Sequence, residues 1–178
     1  MLLALLLAAT LLADTVMAGS FAAQTTLLRN REFADALAEG IRSARSSVYL
    51  SFFLFKVTDA RNNIPRQIAA ELVRARQRGV EVTVLLERPS RDRAASGNDS
   101  LYADNRRTAD LLARGGVKVI FDSPSITTHT KVAVIDGHLV FLGSHNLSQS
   151  ALQHNNELSV MLDSPGLAAE VKAYLDRL

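Results

Sequence analysis

The chain has 178 residues, 48% of them apolar, with a formal charge of +2 and neither cysteine nor tryptophan. That length and apolar share provide for one buried core and no second domain, and they exclude a disordered chain, a disulfide scaffold and any thiolate metal site. The slightly basic balance suits an anionic partner without requiring one.

The first element is a leader. Leu2 to Ala13 is a run of Leu and Ala with one Thr, Asp14 breaks it, and Val16-Met17-Ala18 before Gly19 carries small residues at the alternate positions that signal peptidase reads. Residues 1–18 are therefore expected to be a signal peptide, which would deliver the remainder to the periplasm or outside the cell. The alternative is an N-terminal membrane anchor. It fits less well, because the apolar run is shorter than about twenty residues and an Asp near its middle costs about 3 kcal/mol.

From Glu32 onward Phe33, Leu37 and Ile41 recur at helical spacing, and a β-branched and aromatic run, Val48 to Phe55, follows as a strand. The phenylalanines Phe52, Phe53 and Phe55 read as core. A second helix is predicted over Pro65 to Arg78, with Pro in its first turn and Gly79 just past its end, leading to a strand over Val80 to Leu86. Arg88 to Arg107 is polar and arginine-containing; it reads as a rim for a nucleic-acid backbone or as a solvated surface loop. A third helix, about Leu101 to Arg114, precedes a strand over Val117 to Phe121. A short helix from Leu147, a strand from Glu157 to Leu162 and a last helix over Leu167 to Leu178 close the chain. The sum is a mixed sheet flanked by helices.

The chemistry is concentrated between His129 and Asn146, which reads His129-x-Lys131, four residues, Asp136, six residues, Gly143-Ser144-x-Asn146. Thr130 to Asp136 is a strand signal, Asp136-Gly137 a favoured two-residue turn, and Leu139 to Leu142 the returning strand. Strand alternation sends His129 and Lys131 one way and Val132 and Val134 to the opposite, apolar side. An imidazole and an ammonium thus share a face. Asp136 falls at the turn on the other parity, a position for tying the hairpin in place. At Gly143-Ser144-His145-Asn146 a small residue permits close backbone approach and free N–H groups can meet an anion. The arrangement suits a phosphate group.

These residues resemble the phospholipase D superfamily, whose signature is this His-Lys-Asp motif followed by Gly-Ser-x-Asn, and the likeness extends from about Gln24 to the C-terminus. It implies an α/β, phospholipase D-like catalytic domain over 24–178 with one motif per chain. By position it implies His129 as nucleophile, Lys131 and Asn146 as phosphate ligands, Ser144 as a supporting donor, and Glu157, in Asn155-Asn156-Glu157-Leu158, as the acid that orients His129. Gly143 and Asp136 are structural in this reading. Members of the superfamily generally carry two motifs, and its small bacterial endonucleases pair two identical subunits instead. The resemblance therefore implies a homodimer with the active site at its twofold axis. It also implies metal-independent phosphodiester cleavage through a phosphohistidine, with no cofactor. The expected substrate is DNA or RNA; the alternatives are a membrane phospholipid such as cardiolipin, or a non-catalytic nucleic-acid-binding module. His138, His145 and His154 begin no second His-x-Lys and are expected at the surface or beside the site.

Overall fold

The computed structural model describes residues 19–88 and 100–178. Residues 1–18, expected to be a signal peptide, and residues 89–99 of the arginine-containing segment lie outside the described residues. The elements run β1 (Gln24–Arg29), α1 (Glu32–Ser43), β2 (Ser47–Phe52), α2 (Ile64–Gln77), β3 (Glu81–Leu86), α3 (Ser100–Arg114), β4 (Lys118–Phe121), β5 (Lys131–Ile135), β6 (Leu139–Gly143), α4 (Gln149–Gln153), β7 (Leu158–Asp163) and α5 (Pro165–Leu175). One seven-stranded sheet has the order β1-β7-β6-β5-β2-β3-β4. Strands β2, β3 and β4 are parallel, and β5 to β7 and β1 pair antiparallel. The mixed sheet matches the reading of the sequence.

Local chemistry accounts for most boundaries. Asn63 caps α2 by accepting the Arg66 N–H at 3.0 Å, and Pro65 occupies its first turn. Ser148 and Ser164 cap α4 and α5 in the same way. Two elements depart from the sequence reading. β1 was not anticipated; only Leu28 is buried in it, so no alternation announces it, and it exists by pairing with β7. β2 stops at Phe52 because the backbone beyond it is held by side chains of α3: Asn105 Oδ1 accepts the Phe55 N–H at 2.8 Å, and the Thr108 hydroxyl accepts the Val57 N–H at 3.2 Å. Residues 100–107, read also as part of a loop, belong to α3, where Arg106 pairs with Asp110 and Arg107 with Asp59.

The sheet divides the core in two. On one face α1, α2, α3 and α4 pack Phe33, Leu37, Ile41, Leu72, Leu112 and Leu152 against Val48, Leu50, Val84, Ala133 and Phe141. On the other, Val132, Val134, Val140 and Tyr49 pack under α5 through Ala168 and Leu175. β5 is therefore buried on both sides, Ala133 and Ile135 included, and the expected polar face holds only at its Lys131 end. Seven strands span about 30 Å and a helix about 10 Å, so α5 leaves part of its face open. There Leu27, Leu142 and Leu158 stand 47%, 44% and 56% exposed, and Leu142, Val160 and Leu27 occupy facing positions on β6, β7 and β1.

The β5–β6 turn is fastened by Asp136. Asp136 and Gly137 both have positive φ, 50° and 69°, as a tight hairpin turn requires. The carboxylate accepts the backbone N–H groups of Arg45, Ser46 and Ser47, at 2.9, 2.8 and 2.9 Å, and the Ser46 hydroxyl. Burial works against the charge, but these donors outweigh it and hold the carboxyl at about 2. The folded value lies below the unfolded one, so this stabilisation is complete above pH 4 and is lost as pH falls towards 2. Asp136→Asn keeps the tolerance for positive φ but removes the charge. It is expected to cost about 2 kcal/mol at neutral pH and to flatten stability across pH 4 to 2, measured by urea unfolding; an unchanged midpoint at both pH values would contradict this.

Candidate active site

β5 begins beside the end of β2, with Lys131 opposite Phe52. This puts the start of the motif strand at the carboxyl edge of the parallel strands, a common ligand-binding edge in open α/β sheets. Here the exposed His129 imidazole lies with Nε2 3.2 Å from Lys131 Nζ. An ammonium has only donors, so Nε2 is the unprotonated, accepting nitrogen, and its lone pair faces the Lys131 ammonium. The ring stands edge-to-face on Phe53, centroids 4.5 Å apart, and Lys131 Nζ lies 5.4 Å from the same Phe53 centroid. Phe53, read as core, is half-buried beneath both motif side chains, while Phe52 and Phe55 are fully buried.

The electrostatics favour a neutral imidazole. Burial lowers the His129 pKa, and the adjacent Lys131 charge lowers it further. Burial also lowers the Lys131 pKa, opposed by the negative charge of Glu157. Both causes at His129 favour the unprotonated imidazole, while Glu157 favours the charged form of Lys131.

β6 and β7 supply the other side of the site. Gly143 lies against Ser159 of β7. Ser144 donates its hydroxyl to Glu157 and accepts the Leu158 N–H at 3.1 Å. Glu157 also accepts the Asn155 amide at 3.1 Å. Within this chain Glu157 thus makes its hydrogen bonds to Ser144 and Asn155, and the Ser144 hydroxyl donates to Glu157. Asn146 has its side-chain oxygen buried and without a partner. That oxygen is an acceptor and needs a donor; only the Nδ2 amide of Asn146 could donate to a phosphate oxygen. Asp136 sits at the opposite end of β5, about 15 Å from Lys131 at strand spacing, outside the site.

Of the other histidines, His138 is at the far turn with Nδ1 2.9 Å from Asp163, and His154 is exposed. His145, expected at the surface or beside the site, is fully buried instead. It stacks on Phe33 at 4.4 Å and bonds Ser159 Oγ at 2.7 Å and the Asn30 carbonyl at 2.9 Å. Asn30, with φ of 49°, also accepts the Glu157 N–H through its side chain at 2.9 Å. Nothing in the local sequence pattern pointed to Asn30, since its partners lie more than a hundred residues away.

A cleft of about 370 Å³ opens beside His129 and Lys131, walled by Leu142 and Gly143 and by Val171, Tyr174 and Leu175 of α5. Among the described residues no group of three or more His, Asp or Glu side chains could hold a metal ion, and no helix is long and apolar enough to cross a membrane.

A mixed sheet that brings His-x-Lys and Gly-Ser-x-Asn together at one edge defines a phospholipase D-like domain. The chain belongs to the family described as cardiolipin synthase, PLD-like domain, whose model matches residues 37–178. It is similar to cardiolipin synthase A of Salmonella arizonae and of Salmonella paratyphi B, in each case 35% identical over 105 residues, 57% of this chain and 20% of the relative. The chain thus spans about a fifth of the length of those curated relatives. Two solved structures share the fold: Nuc from Salmonella typhimurium, a phospholipase D family member (TM-score 0.68, 24% identity, 88% of this chain and 94% of that one), and NucT from Helicobacter pylori (0.65, 23%, 88% and 95%).

Proposed function

We propose that this chain is a metal-independent phosphodiester hydrolase acting through a phosphohistidine, with DNA or RNA as substrate. The observation that carries the proposal is the pair formed by the neutral His129 imidazole and the Lys131 ammonium at the sheet edge, an in-line nucleophile next to positive charge for the equatorial oxygens. Cleavage also needs an acid for the leaving alkoxide, and the described chain offers one imidazole at the site. A second copy supplies it. His129 Nε2 attacks phosphorus as the P–O bond breaks, and the partner subunit's protonated His129 gives its proton to the leaving oxygen. Water then breaks the P–N bond, returning a proton to the partner's imidazole. Two Lys131 ammonium groups and two Asn146 amides carry the charge that a metal would otherwise neutralise.

The open apolar face supports the dimer: Leu27, Leu142 and Leu158 adjoin the site on a sheet face that one helix covers only in part, so an isologous contact there buries apolar area and brings two sites together. Nucleic acid is favoured by charge, since Arg61 and Arg88 are exposed on the same edge as Lys131. The apolar cleft beside His129 supports a second reading, a phospholipid whose chains enter between Leu142 and Tyr174. In both readings residues 1–18 act as a cleaved signal peptide or an anchor, so that the domain works outside the cytoplasm.

The test is to incubate residues 19–178 with plasmid, single-stranded DNA, RNA and cardiolipin vesicles, each with and without EDTA. Nucleic-acid cleavage that persists in EDTA is expected. Phosphatidic acid released from vesicles alone would establish the lipid reading, cleavage abolished by EDTA would overturn the mechanism, and salt-sensitive DNA binding without cleavage would leave a binding module.

A further inference from the structure

α3 places two polar side chains in the core, Asn105 and Thr108, and Asn105 lies directly behind the site. Asn105 is fully buried, an unfavourable position for an amide unless its donors and acceptor are matched. Its Oδ1 accepts the Phe55 N–H at 2.8 Å, and its Nδ2 donates to the Phe53 carbonyl at 2.9 Å and to the Glu87 carbonyl at 3.1 Å. Those groups belong to the two segments that hold His129 from either side.

The Phe53 segment acts on the ring and on the peptide after it. The Phe53 side chain meets the imidazole edge-to-face, and the Phe53 N–H donates to the Thr130 carbonyl at 2.9 Å. The Glu87 segment acts on the peptide before it. Glu87 is 1% exposed, and its carboxylate accepts the Thr128 N–H at 2.6 Å. Both residues flanking His129 are therefore fixed through their backbone groups, to two segments that continue the paired strands β2 and β3 and that the Asn105 amide bridges just beyond the last strand residues. Around them the loop is open: Ser125 and Thr127 are exposed and Ile126 is 79% exposed. Besides the two segments, the imidazole is oriented by Lys131 Nζ at 3.2 Å, and Thr130 by the Ser51 hydroxyl at 2.6 Å.

We infer that Asn105 is a positioning residue for His129, setting the separation of Phe53 and Glu87 and through them the direction of the imidazole. Its effect on turnover rests on the proposed hydrolase reading; its effect on the ring does not. Asn105 touches no reacting atom. Its contribution is alignment, and a displacement of about 1 Å at a nucleophile can cost about 100-fold in rate.

Asn105→Asp tests this. It preserves size and the oxygen facing the Phe55 N–H, but sets an oxygen against two carbonyls. Three readouts are needed: kcat and KM on bis(4-nitrophenyl) phosphate, a thermal melt, and an NMR titration of the His129 ring nitrogens. In folded protein kcat is expected to fall about 10- to 100-fold with KM within about twofold, and the ring's tautomer balance and titration midpoint are expected to move. Two Glu87 variants separate positioning from folding. Glu87→Met removes the acceptor for the Thr128 N–H and should reproduce the loss, whereas Glu87→Gln keeps an acceptor oxygen and should restore most of it. Should Asn105→Asp fail to fold, the contrast between the two Glu87 variants decides. Wild-type kcat and an unmoved ring titration in folded Asn105→Asp or Glu87→Met would overturn the inference. A wild type inactive on every phosphodiester would instead overturn the hydrolase reading, and the ring titration would still decide the role of Asn105.

Discussion

His129→Ala is expected to reduce phosphodiester turnover by about 10³-fold or more while leaving the melting temperature nearly unchanged. In the proposed mechanism His129 forms the covalent intermediate and has no substitute in the site, and losses of that size are usual when such a group is removed. Stability is spared because the imidazole is exposed and its main contacts are one edge of Phe53 and the Lys131 ammonium. The pH profile carries a second signature. Burial and then the Lys131 charge lower the His129 pKa, so the acid limb of kcat/KM should fall below the ordinary histidine value of about 6.5. Two imidazoles serving one phosphorus titrate as a coupled pair, and the full profile should be bell-shaped. Mixed dimers of wild-type and His129→Ala subunits should be inactive. Half the wild-type rate per hybrid would show each subunit working alone and would remove the twofold mechanism. An acid limb above 6.5 would show that the imidazole is not held neutral.

Gly143→Ala should be among the most damaging single substitutions in the sheet. A Cβ at Gly143 would lie 2.1 Å from Ser159 Oγ and 2.5 Å from its backbone Cα. The contact with Oγ could be relieved by rotation, but those with Cα and Cβ, both at 2.5 Å, require β6 and β7 to move apart. Those strands position Ser144 against Glu157 and Ser159 against His145. A loss of about 3 kcal/mol is expected, equivalent to about 6 to 12 °C in melting temperature for a chain of this size. Activity should fall beyond the loss of folded protein, since the phosphate-facing turn is displaced with the strand. Ser159→Gly in the Gly143→Ala background should recover part of the stability. A variant melting within 2 °C of wild type would show that the strands separate more easily than the geometry implies.

The parts of the molecule that were legible in the sequence are those governed by short-range pattern. The helix beginning at Glu32, the Pro65 and Gly79 boundaries of the second helix, and the Asp136-Gly137 hairpin each follow from spacing or turn chemistry within a few residues. The His129–Lys131 pair was legible for the same reason, two positions apart on one strand. What was not legible depends on partners distant in the chain. β1 has an exposed composition and is a strand only because β7 lies beside it. Phe53 shares its type with its buried neighbours, and only the approach of His129, 76 positions later, distinguishes it. Glu157 was placed in the site by likeness, and its bonds to Ser144 and Asn155 depend on how β6 meets β7. His145, an ordinary variable position within the motif, is a buried link between Asn30 and Ser159.

The pairing of β1 with β7, and the bonds of Asn30 to His145 and Glu157, have a consequence for biosynthesis. β1 is made more than a hundred residues before β7, so over that stretch of translation its edge remains a template without a neighbour. During that interval the motif histidine has already been made, but the brace around Glu157 has not. A nascent polypeptide halted before residue 157 would hold His129 beside an unassembled Ser144–Glu157 brace. On the proposed hydrolase reading it should be inert, and activity should appear only once β7 has been made.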